Sequence, residues 1–175
     1  MVKIAEQHID ILIDHLTNSI KNVETGESFD TELLKVDFSD LRNVTKKNRW
    51  NFNWKNELKQ TDRVVYKLII TGKQSEIQGL VSISDKTDHY YLNLAESAPF
   101  NFGKQKKHEG VGGNLFAFCC KKSWDDGNEG ITAFKSKTKL IAHYEQTLGA
   151  VHIGNHNMII YPKEASILIK KYFKQ

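Results

Sequence analysis

The residues with the most chemical content in this 175-residue chain lie between Tyr90 and Asn114. An apolar run, Tyr90-Tyr91-Leu92-Asn93-Leu94-Ala95, ends in Glu96. After a polar stretch come Lys107-His108-Glu109-Gly110-Val111-Gly112-Gly113-Asn114 and then a helical pattern. A glycine-rich turn at a helix N-terminus lets backbone N–H groups approach a ligand closely. Those groups lack intrahelical acceptors and carry the positive end of the helix dipole, so they suit phosphate. Lysines beside them add point charge. The plain alternative is a flexible turn. The motif is not a P-loop, because no Gly-Lys-Ser/Thr follows. Nor is it a dinucleotide fingerprint, because the strand before it lies in a meander.

Other catalytic schemes find little support. Cys119-Cys120 has the apolar neighbours of structural cysteine. His143, His152 and His156 build neither a His-x-x-x-His nor a Cys-x-x-Cys framework, so no metal site is expected. There is no Gly-x-Ser-x-Gly elbow.

Nine Phe, six Tyr and three Trp among 39% apolar residues are enough for one sizeable core, and 175 residues suit one domain. No run has the roughly 20 apolar residues of a membrane span, and the first residues do not form a secretory signal. Two adjacent cysteines make no disulfide framework, so a soluble cytoplasmic protein is expected. The net charge is 25 − 21 = +4. Between Lys104 and Leu140, eight lysines oppose four acids, so that stretch alone carries 8 − 4 = +4. Such a distribution suits a pocket for one polyanionic ligand better than a globally basic nucleic-acid binder, with a solvated lysine-rich surface as the alternative.

The elements that must position these groups follow from periodicity. Ile9, Leu12, Ile13, Leu16 and Ile20 recur at helical spacing, predicting a helix over 3–22. A strand is predicted over 32–38, with Ser39 capping a short helix. Residues 49–58 show no clean period. Three strands, 63–71, 77–84 and 90–95, form an antiparallel meander. A loop over 97–113 leads to a helix over 114–124, a strand over 131–134 and a helix over 138–148 ended by Gly149. A hairpin of 151–153 with 158–161 and a helix from Pro162 complete an α+β domain with one βαβ crossover.

This order of elements, with Lys107-x-x-Gly110-x-Gly112 before one helix and Tyr144-Glu145-Gln146-Thr147-Leu148-Gly149-Ala150 ending another, resembles the GNAT N-acetyltransferases over residues 64–161. Three departures stand out. Lys107 replaces the usual Gln or Arg, the 97–106 connection is longer than usual, and the Tyr144–Gly149 interval is one residue longer than in many members, with Lys137 standing where Asn is frequent. The resemblance implies a mixed, mainly antiparallel sheet with helices on both faces and a phosphate-binding loop before the central helix. It implies one domain, in which 1–63 shapes the acceptor side, 64–161 binds CoA and 162–175 is a final helix. It also implies direct acetyl transfer from acetyl-CoA to an amine, small or macromolecular, with no metal, and a homodimer is open.

In that scheme the pyrophosphate rests on the N–H groups of His108, Glu109, Gly110, Val111, Gly112, Gly113 and Asn114, with Lys107 and Lys137 as flanking cations. A backbone N–H near Leu94, Ala95 and Glu96 polarises the thioester carbonyl. Tyr144, a phenol of ordinary pKa ~10, matches the proton donor to the leaving thiolate, with plain core packing as its alternative. Glu96, at the end of an apolar strand where desolvation raises its pKa, is the candidate base; a solvated carboxylate or a lysine partner is its alternative. His108 is expected to point at the cofactor.

A different class stays open: a CoA-binding protein without turnover, or a nucleic-acid or protein-binding module. Residues 46–55 interleave cations with Trp50, Phe52 and Trp54, as single-strand binders do, unless those aromatics pack under the sheet.

Overall fold

The computed structural model describes residues 6–16 and 19–173. A seven-stranded sheet, in the order β3-β4-β5-β6-β8-β10-β9, forms its centre. The meander is β4 (Val64–Ile70), β5 (Gly79–Asp85) and β6 (Tyr90–Ser97), paired antiparallel, with β3 (Thr31–Lys35) on its outer edge. The chain then crosses through α2 (Val111–Asp125) to β8 (Thr132–Lys135), which pairs parallel with β6. α3 (Ile141–Leu148) ends at Gly149 in the left-handed conformation. The β9–β10 hairpin (Val151–His152, Asn157–Ile160) and α4 (Pro162–Tyr172) follow, with Pro162 opening the helix. No helix among the described residues is long and apolar enough to cross a membrane.

The two faces of the sheet bury different sets of residues. On one, α2, with α4 packed against it, covers Tyr66, Leu68, Val81, Ile83, Leu92 and Ala95. On the other, α1 (Trp54–Lys59) and a 3₁₀ turn at Phe38–Leu41 cover Val65, Leu80 and Leu94 with Trp50 and Trp54. Strand alternation alone would put Leu92 and Leu94 on the same face. They part because the β5–β6 register shifts between Ser82 and Ile83: Ser82 faces Leu94 while Ile83 faces Leu92, leaving Asn93 as the extra residue of a bulge. A one-residue slip flips every later side chain. Glu96 is thereby turned from the α2 face to the α1 face.

Several sequence expectations need correction. The helix over 3–22 does not form where the chain is described. Residues 6–16 are extended, Ile9 bridges Ser136 in parallel, and β1 (Ile20–Asn22) pairs with β2 (Ser28–Phe29) and β7 (His108–Glu109). The parts of that helix at 3–5 and 17–18 lie outside the described residues. The run Ile9-Asp10-Ile11-Leu12-Ile13-Asp14 fits a period of two as well as one near 3.6, and tertiary pairing selects the strand-like reading. Asp37, not Ser39, caps the Phe38–Leu41 turn, through a reciprocal capping box with Asp40. α2 begins three residues before the expected start, so Gly112 and Gly113 lie inside its first turn.

Trp50 and Trp54 are 7% and 0% exposed within the second core. These two pack under the sheet and offer no face for base stacking, while Phe52 is partly buried beside a cavity, so the nucleic-acid alternative is not favoured.

Candidate functional site

β6 and β8 pair only at Tyr90↔Thr132 and Tyr91↔Ala133, after which the sheet opens. α2 starts beneath that opening. Its N-cap, Gly110, has a φ of 92°, a left-handed conformation that glycine adopts without a Cβ penalty. Beyond the end of β6 lies a cavity of about 940 Å³, whose lining includes Glu96, Asn51, Phe52, Phe102, Lys139 and His143.

Glu96 is 7% exposed and held by three donors. The Asn51 N–H donates to Oε2 at 2.7 Å, while the Phe52 N–H and the Trp54 indole N–H donate to Oε1 at 3.3 and 2.8 Å. Burial pushes its pKa above the usual carboxylate range, with Asp10 adding to the rise, and the three donors offset only part of it. The two oxygens have about four acceptor positions between them, so capacity remains for a proton from the cavity.

Tyr144 is fully buried against Phe116 and Phe134. Its hydroxyl donates to the Ile11 carbonyl at 2.6 Å, and burial pushes its pKa well above that of a free phenol. The proton therefore stays on the oxygen throughout the physiological range. Next to it, His143 Nε2 accepts the Ile13 N–H at 3.0 Å, a contact that requires that nitrogen to be unprotonated. Burial lowers the His143 pKa and favours the same state.

The ladder decides which β6 amide faces the opening. Ala98 N–H donates to the Gln78 carbonyl at 3.0 Å, and the register runs on through Gly79↔Ser97, Leu80↔Glu96 and Val81↔Ala95. Antiparallel alternation then turns the Leu94 and Glu96 amides toward β5 and the Ala95 amide toward the gap. Of the expected donors only Ala95 is aimed there.

The expected phosphate cradle is partly engaged by the chain itself. Lys107 N–H donates to the Phe100 carbonyl at 2.7 Å, and the Lys107 side chain is exposed. His108 N–H donates to Asn101 Oδ1 at 3.0 Å. Its ring is buried between Phe29 and Phe100 and hydrogen-bonded to the same Asn101, so it does not point at the cleft as expected. Glu109 is in β7, paired with β1. Asn114 N–H makes the first bond inside α2, to the Gly110 carbonyl at 3.1 Å, and its side-chain amide donates to Thr31. Buried amides must find acceptors, and the β1–β7 pairing and Asn101 supply them here. The helix-start donors Val111, Gly112 and Gly113 remain, together with the Gly110 N–H, which donates to Asp14 Oδ1 at 3.0 Å. Lys137 Nζ is 2.6 Å from Asp10 Oδ2.

An anion fits this helix start, because the structure already places one there: the Asp14 carboxylate. Lys106 Nζ pairs with its other oxygen at 2.9 Å. Burial raises the Asp14 pKa, but Lys106 and the amides of Gly110 and His15 outweigh it and hold the carboxyl below its usual range. Close approach is also built in. A Cβ on Gly112 would lie 2.6 Å from the Leu12 carbonyl oxygen. Sequence reasoning missed Asp10, Asp14 and His143 as neighbours of the site, because the helix predicted over 3–22 kept the segment that brings them together away from it.

No sequence-family profile and no curated protein matches the chain. Solved structures do. A chimera of Vibrio cholerae spermidine N-acetyltransferase SpeG with hSSAT superposes with a TM-score of 0.57 at 15% identity, covering 79% of this chain and 99% of that one. A mutant AtaT toxin, bound to the C-terminus of the antitoxin AtaR and acetyl-CoA, gives 0.53 at 12% identity over 83% of this chain and 99% of that one. The Escherichia coli ribosomal-protein-S18-alanine N-acetyltransferase gives 0.52 at 15% identity over 74% and 90%. Identity this low speaks to architecture, and the architecture agrees with the element order, the parallel β6–β8 pair that opens, and the glycine-started helix beneath it. The chain has the fold of the GNAT N-acetyltransferases.

Proposed function

We propose that this protein transfers an acetyl group from acetyl-CoA to an amine. The observation that carries the reading is the juxtaposition at the mouth of the β6–β8 gap: a buried, raised-pKa Glu96 on a cavity wall, the Ala95 amide aimed into the gap, and a helix start that already holds an anion. Transfer forms a C–N bond and breaks a C–S bond, and it needs one proton taken from the attacking nitrogen and one given to sulfur. Acetyl-CoA supplies the activated acyl group.

In this reading Glu96 accepts the amine's proton from the cavity, where three fixed donors hold its carboxylate in place. The Ala95 N–H donates to the carbonyl oxygen as negative charge develops on it. Tyr144 holds the proton that goes to sulfur. The first-turn amides of Val111, Gly112 and Gly113, with the Gly110 N–H, bind the diphosphate, and Lys106 and Lys137 add charge. The acceptor enters by the cavity between Phe52, Phe102 and Lys139. Its class is an amine, on a small molecule or a macromolecule.

The test is calorimetric titration with acetyl-CoA together with thiol release in the presence of an amine panel. Saturable binding is expected, and Gly112→Asp, which sets a carboxylate against the diphosphate position, should abolish it. No binding and no thiol release, by the wild type or by the variants of residues 11 and 14 described below, overturns the reading.

A further inference from the structure

We infer that residues 9–14 are an autoinhibitory strap: an extended segment of the chain's own N-terminal region that lies in the acyl-CoA cleft and must leave before the cosubstrate can enter. This rests on the acetyltransferase reading above.

The segment sits where β6 and β8 part and uses the strand edge exposed there. Ile9 N–H donates to the Lys135 carbonyl at 2.6 Å, and Lys137 N–H donates back to the Ile9 carbonyl at 3.1 Å, so Ile9 adds to the end of β8 like a short parallel strand. Its side chains alternate. Ile9, Ile11 and Ile13 are 1%, 7% and 4% exposed in the main core, while Asp10, Leu12 and Asp14 are more exposed, and all of residues 10–14 border the cavity.

Four of the groups assigned to acetyl-CoA, Tyr144, Gly110, Lys137 and Lys106, are instead engaged by this segment. The Tyr144 hydroxyl is on the Ile11 carbonyl, the Gly110 N–H is on the Asp14 carboxylate, and the Lys137 ammonium is on the Asp10 carboxylate. The space above Gly112 is filled by the Leu12 backbone. The likeness is chemical as well as positional. A pantetheine arm is an extended chain with amide groups that ends in a diphosphate, and residues 9–14 are an extended peptide that ends in a carboxylate. The two cannot share the cleft.

The attachments are of a kind that can be released. Lys137 and Asp10 have side chains 45% and 32% exposed, so that pair is screened by solvent, while Lys106 and Asp14, at 26% and 20%, are more sheltered.

An occupied cleft lowers apparent affinity by the fraction of molecules in which the strap is open. Loosening the strap therefore tightens acetyl-CoA binding. The experiment uses the full chain in three forms: wild type, Asp14→Asn and Ile11→Ser/Asp14→Asn. Acetyl-CoA affinity is measured by calorimetry, and backbone amide hydrogen exchange is followed with and without the ligand. The double variant should bind about tenfold tighter than wild type or more, with Asp14→Asn in between. In the wild type, saturating acetyl-CoA should deprotect the Ile9 and Ile13 amides and leave Leu115 to Cys119 in α2 protected.

Asp14→Asn keeps the apolar face of the segment, so it remains informative if the double variant does not fold. Saturable binding with equal affinity in the folded forms, or with the Ile9 and Ile13 amides still protected in the wild-type complex, overturns the strap and leaves the acetyltransferase reading standing. No saturable binding by any folded form overturns that reading, and the strap with it.

Discussion

Trp54 donates its indole N–H to Glu96 at 2.8 Å, a contact between two buried side chains 42 positions apart in the sequence. It ties the first helix to the end of the central strand and fixes the direction of the carboxylate proposed as the base. Three donors from one short segment, Asn51 to Trp54, place Glu96, so the carboxylate proposed as the base is also a structural anchor.

Replacing Glu96 should therefore have two separable effects. Glu96→Ala leaves a buried indole and two amides without their acceptor, and unpaired buried donors cost about 1–3 kcal/mol each before relaxation. A loss of roughly 3 kcal/mol in denaturant unfolding is expected. Glu96→Gln retains an acceptor oxygen and should lose less stability, while kcat/KM for acetyl transfer falls about 100-fold or more, the usual contribution of a general base. Equal activity in Glu96→Gln and wild type would remove Glu96 from the mechanism.

In the proposed mechanism the raised pKa of Glu96 sets the pH profile. The working form is the carboxylate, so activity is lost as pH falls through the folded-state pKa. The acid limb of kcat/KM should lie above the ordinary value of ~4.3 and be absent from the residual rate of Glu96→Gln. Asp14 carries the opposite sign. Its folded pKa is depressed, so its contribution to stability is present above the unfolded value of ~3.9 and is lost as pH falls through the lower folded one. A melt series from pH 6 to pH 2 of wild type against Asp14→Asn reads this directly: the gap between them should close at the acid end.

Tyr144→Phe removes one hydroxyl from an otherwise unchanged aromatic cluster. The Ile11 carbonyl loses its donor, at a cost of about 1 kcal/mol in unfolding free energy. Catalysis should fall further, by about 100-fold in kcat, without a rise in KM for acetyl-CoA. A change in KM alone would mean that the hydroxyl only anchors the N-terminal segment.

The glycines at the start of α2 should respond differently to alanine. At Gly110 the cost comes from its φ of 92° and should be about 1–2 kcal/mol. At Gly112 it comes from packing, because the new methyl would lie 2.6 Å from the Leu12 carbonyl oxygen and 3.1 Å from the Ile13 Cδ1 atom. Overpacking of this kind costs about 1–3 kcal/mol. Hydrogen exchange separates the two, since only Gly112→Ala should expose the Ile13 amide.

Much of the core was legible locally. The β-branched runs of β4 and β5, Gly149 after α3 and Pro162 before α4 are signals within a few residues of what they specify, and the structure places strands, a helix end and a helix start there. The order meander, glycine-started helix, strand and helix was enough to suggest the fold. Two things were not local. Asn93 looks like any polar residue in a strand, yet the register across β5 makes it a bulge and so decides the face on which Glu96 lies. Ile9 to Asp14 fits two periods, and only the open edge of β8, with Tyr144, His143 and Gly110 offering partners, selects the extended form. The sequence by itself determined which elements could form, because hydrophobic period, caps and breakers act over one or two turns. Tertiary structure alone decided what those elements bring together, because strand register and pairing at an open sheet edge depend on partners 80 to 130 residues away.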